Sequence, residues 1–106
     1  MSQFATIAML KDVPQKWEAD RNWDVFESQF EIHVTDADVF VTPEGYLDGY
    51  ATTEEDWTAE RFATVAERVE DSERVDRLCV LAKESGTAIV FGLTQILDGR
   101  FYNARL

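Results

Sequence analysis

Apolar and polar positions change period several times along the chain, and each change marks a candidate element. Residues 3–10, QFATIAML, form a short apolar run of strand type, broken by Val13-Pro14. Residues 14–22 suit one or two helical turns, with Pro14 near the first helical position and Trp17 and Trp23 pinning the piece to the body. Residues 28–35, SQFEIHVT, alternate apolar and polar, which predicts a strand. A short Asp36-Ala37 turn leads to a second strand at 38–42. Thr42-Pro43-Glu44-Gly45-Tyr46 then reads as a turn into a return strand at 46–51. Paired as a meander, these strands place Phe30, Ile32, Val34, Val39, Val41 and Leu47 on one face. Glu31, His33, Asp38, Phe40, Tyr46, Asp48 and Tyr50 fall on the other.

The second half is more helical. Thr53 with Asp56 resembles a capping box, and a helix is expected from there to about Glu70, burying Phe62, Val65, Ala66 and Val69. Asp71-Ser72 permits a break before a second helix at about 73–84, with Val75, Leu78, Cys79 and Ala82 inward. Glu70–Arg74 and Glu73–Arg77 have the spacing of i,i+4 ion pairs. Ser85-Gly86 ends this helix. Residues 87–93 read as a buried strand, and Asp98-Gly99 as a hairpin turn between QIL and RFYN. The expected fold class is α+β: a small antiparallel sheet, made of the meander and a C-terminal hairpin, with a helical pair packed on one face. Residues 1–106 read as a single domain.

Charge alters this picture. The chain has 21 acidic and 10 basic residues, and residues 22–60 contain 11 acids and no Lys or Arg. The whole excess of −11 therefore lies in one segment. Acids spaced along a strand or a helix face can imitate a row of phosphates, and interspersed aromatics can anchor a protein contact. This reading selects Glu31, Asp38, Asp48, Asp56 and Glu60 for charge, with Phe40 and Tyr50 as apolar anchors. Neutralising Asp38, Asp48, Asp56 and Glu60 together is expected to preserve folding or to stabilise it by relieving repulsion.

Catalytic motifs add little. His33 is the single histidine and reads as an ordinary outer-face strand residue. Cys79 reads as a buried, inert thiol. Asp36-x-Asp38 lacks the glycine and the final glutamate of a calcium loop. No phosphate-binding loop, nucleophile elbow or spaced His pair occurs. The sequence therefore predicts no catalytic residues, no metal and no cofactor. No apolar run reaches membrane-spanning length and the N-terminus does not read as a signal peptide, so the expected address is the cytoplasm, without membrane contact. The acidic balance argues against direct nucleic-acid binding.

In composition and size the chain resembles the small phage-encoded inhibitors that block CRISPR or restriction machinery by occupying its DNA-binding surface. That resemblance implies a non-enzymatic DNA mimic whose partner is the basic surface of a nucleic-acid-handling complex. The alternative is a structural or assembly subunit that forms a homodimer and uses the acidic face for solubility.

Overall fold

The structure, a computed structural model, describes residues 4–34, 37–55 and 57–106. It is a mixed helix and strand fold with a small sheet and a few helices. Strand β1 (Ile7–Met9) leads into helix α1 (Ala19–His33) and strand β2 (Val39–Val41). A long connection holds a 3-10 turn (Ala51–Thr53), helix α2 (Ala59–Ala63) and a second 3-10 turn (Val69–Asp71). Helix α3 (Glu73–Ser85), strand β3 (Ala88–Val90) and the hairpin of β4 (Gly92–Leu97) and β5 (Arg100–Arg105) complete the chain.

The first three strands form a parallel sheet in the order β1-β2-β3, with Ala8, Phe40 and Ile89 in one row. This replaces the expected antiparallel meander. The segment expected as a strand at 28–35 falls largely inside α1. Over that helix Ala19, Asn22, Trp23, Phe26 and Phe30 recur at helical spacing and are buried. This five-residue stripe outweighs the three-residue alternation of Phe30, Ile32 and Val34. Phe30 is buried as expected, but Ile32 is 63% exposed. The expected Asp36-Ala37 turn falls partly outside the described residues. Residues 46–51 are not a strand either; residues 46–49 form a buried turn that leads through exposed Tyr50 into the first 3-10 turn.

The expected helix from 53 to 70 is reduced to α2 and the second 3-10 turn. Thr58, not Thr53, caps α2, its side chain accepting from the Arg61 N–H at 3.1 Å. Asp56 lies outside the described residues. Helix α3 matches expectation at both ends: Ser72 Oγ accepts from the Val75 N–H at 3.1 Å, and Gly86 closes the helix at φ 71°. Cys79, however, is exposed on α3. The C-terminal hairpin is antiparallel as expected, and Asp98 (φ 51°) and Gly99 (φ 75°) both take the positive φ of its turn.

Helix α1 covers one sheet face through ring contacts of Phe26 and Phe30 with Phe40, at centroid separations of 5.8 and 5.3 Å. Phe91, Tyr46, Leu47, Phe62 and Leu93 extend this core. The helical pair is thus α1 beside α3 rather than two consecutive helices. The two arginines of α3 reach across to acids of α1. Arg74 bridges Asp20 and Glu67, the latter at 2.8 Å, and Arg77 lies 3.6 Å from Glu27. The expected i,i+4 pairs give way because α3 starts at Glu73, leaving Glu70 outside it, and because α1 supplies nearer acids. The sheet face carrying Ile7, Met9, Val39, Val41, Ala88 and Val90 is apolar throughout, and Ile7, Met9 and Ala88 on it are exposed.

Candidate functional site

Strand β2 is central in the parallel sheet, and the chain leaves its carboxyl end through Thr42-Pro43-Glu44-Gly45-Tyr46. In open sheets of this type ligands bind outside the carboxyl ends of the strands. Glu44 is exposed on this turn, while residues 45–49 behind it are buried. A solvent-facing carboxylate on a buried turn is the arrangement a reacting group needs: accessible, yet held by a rigid support.

The support can be traced residue by residue. Gly92, at the start of β4, donates its N–H to Thr42 Oγ1 at 2.9 Å, and its carbonyl accepts from the Leu47 N–H at 3.1 Å. A Cβ on Gly92 would sit 2.4 Å from the Pro43 carbonyl oxygen and 2.8 Å from the Gly45 nitrogen. Only glycine allows this backbone-on-backbone approach. Asp48 is 1% exposed, and both its carboxylate oxygens are used: Oδ1 accepts from the Thr94 hydroxyl and Oδ2 from the Ala51 N–H, each at 2.9 Å. Buried Asn22, on α1, ties the turn to the N-terminal segment. Its Nδ2 donates to the carbonyls of Gln15 and Leu47, both at 2.9 Å, and its Oδ1 accepts from the Gln15 N–H at 2.9 Å. Tyr46 is fully buried and its hydroxyl donates to Asp12 at 2.9 Å. Burial, reinforced by the Asp12 carboxylate, pushes the Tyr46 phenol well above the usual tyrosine range.

Beside the turn lies a cavity of about 80 Å³, lined among others by Tyr50, Thr52, Phe101 and Asn103. Asn103 donates from Nδ2 to Glu44 Oε1. Tyr50 holds a left-handed backbone (φ 58°) that turns the chain back, and its N–H donates to the Gly45 carbonyl at 2.9 Å.

The residues selected from the sequence do not assemble into one face. Phe40 is 2% exposed and packs against α1, and Asp48 is sealed under the turn, so neither reaches a surface partner. Asp38 stands at the opposite end of β2 from Glu44, where its Oδ2 accepts from the Thr6 N–H at 2.7 Å. Glu31 is exposed on α1 and Glu60 on α2. Asp56 lies outside the described residues. Among the described members of the seven, Tyr50 and Asp48 border the candidate site, Asp48 as a buried support beneath the turn. The supposed common face depended on reading residues 28–35 and 46–51 as strands. Glu44 counted in the sequence only as one acid among eleven. The available signal was a Pro-Glu-Gly turn directly after a short apolar run, which becomes meaningful only once that run is a central parallel strand.

Among the described residues no group of three His, Cys, Asp or Glu side chains is placed to hold a metal ion, and no helix is long and apolar enough to cross a membrane.

A scan against protein-family models finds no match. The chain is 35% identical over 77 residues to a Pseudomonas protegens protein named "Hydrolase in pqqF 5'region", covering 72% of this chain and 25% of that protein. Among solved structures it resembles a CN-hydrolase superfamily protein from Xanthomonas campestris (TM-score 0.76, 19% identity, 96% of this chain and 35% of the other). It also resembles an N-terminal amidase in complex with an Asn-Glu-Ala peptide (TM-score 0.77, 14% identity, 96% and 24%) and an amidase from Nesterenkonia sp. (TM-score 0.60, 22% identity, 85% and 32%). The chain thus spans about a quarter to a third of the proteins it matches. These likenesses overturn the expectation of a non-enzymatic DNA mimic of anti-CRISPR or anti-restriction type, and with it the expectation that the chain has nothing to do with catalysis. Its acidic composition misled because charge describes a surface and not a fold. Over 96% of its length, the chain shares the fold of about a third of a CN-hydrolase superfamily protein.

Proposed function

We propose that this chain carries the carboxylate-bearing part of a hydrolase that cleaves a carbon–nitrogen bond of an amide, with Glu44 as the group that accepts a proton. The observation that carries this reading is the placement of Glu44: an exposed carboxylate at the carboxyl end of the central parallel strand, on a turn clamped by Gly92, Asp48 and Asn22. The likeness to amidases supports the reaction class.

Amide hydrolysis forms a C–O bond and breaks the C–N bond, with the two hydrogens of water ending on the products. A general base takes a proton from the attacking group as the C–O bond forms, and returns it to the departing nitrogen. Glu44 is suited to this shuttle because its carboxylate is accessible while its backbone is fixed. The lone thiol, Cys79, is exposed on α3, a helix that supplies no residue to the turn or to the cavity beside it. This reading therefore assigns Glu44 the proton-transfer role and assigns no nucleophile from the described residues.

The test is ammonia release from a panel of primary amides by the polypeptide as its gene encodes it, compared with its Glu44→Gln variant. Glu44→Gln keeps the shape and removes the base, so turnover should fall by about 10²–10⁴-fold with an unchanged circular dichroism spectrum. Turnover retained in Glu44→Gln would rule out this role.

A further inference from the structure

We infer that Asn103 is a positioning residue for the Glu44 carboxylate, and that one rung of the β4–β5 hairpin aligns the whole reactive turn. This rests on the reading of Glu44 as the base.

A glutamate on an exposed turn has three side-chain torsions and samples several rotamers. A general base must instead hold one oxygen within hydrogen-bond reach of the proton it removes. Here Asn103 Nδ2 donates to Glu44 Oε1 across 59 positions of sequence. This pins one oxygen and leaves Oε2 as the one able to take up a proton. An amide suits the task because it donates a hydrogen bond without the positive charge that would weaken the carboxylate's hold on that proton.

Asn103 does not act alone. It stands directly opposite Thr94 in the hairpin, and opposed residues project from the same face. The Thr94 hydroxyl donates to Asp48, at the far end of the same turn, at 2.9 Å. Gly92 also holds the turn, through Thr42 at its start and Leu47 near its end. The hairpin therefore holds the turn's frame at Thr42, Leu47 and Asp48, and at Glu44 it holds the reacting side chain itself. Asn103, Thr94 and Asp48 all line the cavity, but Thr94 and Asp48 are buried, whereas Asn103 and Glu44 are exposed. The exposed contact orients a side chain rather than supporting the core.

Two measurements test this. The first follows the Asn103 side-chain amide by nitrogen NMR in the 106-residue chain. Glu44→Ala removes the acceptor and should clearly move the Asn103 Nδ2 resonance, because its donor is released to water. An unmoved resonance would show that the two side chains do not meet, and the inference would fall. The second is kinetic. Asn103→Ala should lower kcat about 10–100-fold with KM nearly unchanged, the pattern of a displaced reacting group with substrate binding intact. Full turnover in Asn103→Ala, alongside an inactive Glu44→Gln, overturns the positioning role and leaves the Glu44 reading standing. Turnover in Glu44→Gln overturns the Glu44 reading itself.

Discussion

The Tyr46 hydroxyl donates a 2.9 Å hydrogen bond to the Asp12 carboxylate, which also receives the Arg21 guanidinium at 2.7 and 3.2 Å. The contact joins the segment after β1 to the floor of the Glu44 turn, and the phenol ring that makes it is fully buried. Its pH dependence follows from its surroundings. The folded-state Tyr46 holds its proton above the ordinary value of 10.0, through burial first and Asp12 second. Above about pH 10 the unfolded chain releases that proton while the folded chain keeps it, so stability declines as pH rises from there toward the folded value. At neutral pH Tyr46→Phe should cost about 1.5–3 kcal/mol, the range for a hydrogen bond to a charged group. Urea midpoints of both proteins at about pH 8, 10 and 11 should show this gap shrinking with pH. A gap that stays constant would mean that Tyr46 does not titrate as its burial requires.

Gly92 tests the clamp on the turn. In Gly92→Ala the new methyl meets the backbone of Pro43 and Gly45, which cannot rotate away as a side chain would. The substitution should destabilise by about 1–3 kcal/mol and displace Glu44, lowering any Glu44-dependent turnover. Gly86→Ala is the useful contrast, because a Cβ there meets nothing within 4 Å and the position is far along the chain from the turn. Its cost should come only from its positive φ. A Gly92→Ala protein with wild-type thermal stability and an unshifted Glu44 backbone resonance would contradict the clamp.

Asp48 separates the structural account from one based on charge alone. If its carboxylate only added to repulsion, Asp48→Asn would be neutral or stabilising. The structure instead gives both oxygens a donor, and an asparagine would turn its NH2 toward one of them. Asp48→Asn should therefore cost about 1–3 kcal/mol, and Asp48→Ala more, since it leaves two buried donors unpaired. Denaturant unfolding of the two variants decides the matter, and any stabilisation by Asn would restore the repulsion account.

Phe30 and Ile32 distinguish helix from strand over residues 28–35. In a strand both would face the core and both would be costly to change. In α1, Phe30 is buried against Phe26 and Phe40 while Ile32 points outward. Phe30→Ala should cost about 3–5 kcal/mol, and Ile32→Lys should fall within about 0.5 kcal/mol of wild type. A large loss from Ile32→Lys would return the segment to a buried strand.

The elements legible from the sequence share one property: their signals are local. Ser72 and Gly86 bracket α3, and Asp98-Gly99 sets the β4–β5 turn, because capping and hairpin geometry are decided by residues within a few positions of each other. The apolar runs behind β1, β2 and β3 were equally visible, but not their pairing. Nothing near Val39–Val41 says that its neighbours will be Ile7–Met9 and Ala88–Val90 in parallel, since those partners lie about 30 and 50 residues away and strands of three residues carry little register information. The alternation at Phe30, Ile32 and Val34 gave way because burying the Trp23, Phe26 and Phe30 stripe against Phe40 and Phe91 removes more apolar surface from water than a three-residue strand face could. The candidate site inherits this division. Residues 42–46 announce a turn by their own composition. Tertiary pairing alone places that turn at the end of a central strand, brings Gly92 against its backbone and sets Asn103 beside Glu44, because those contacts form only when segments some 50–60 residues apart are packed together.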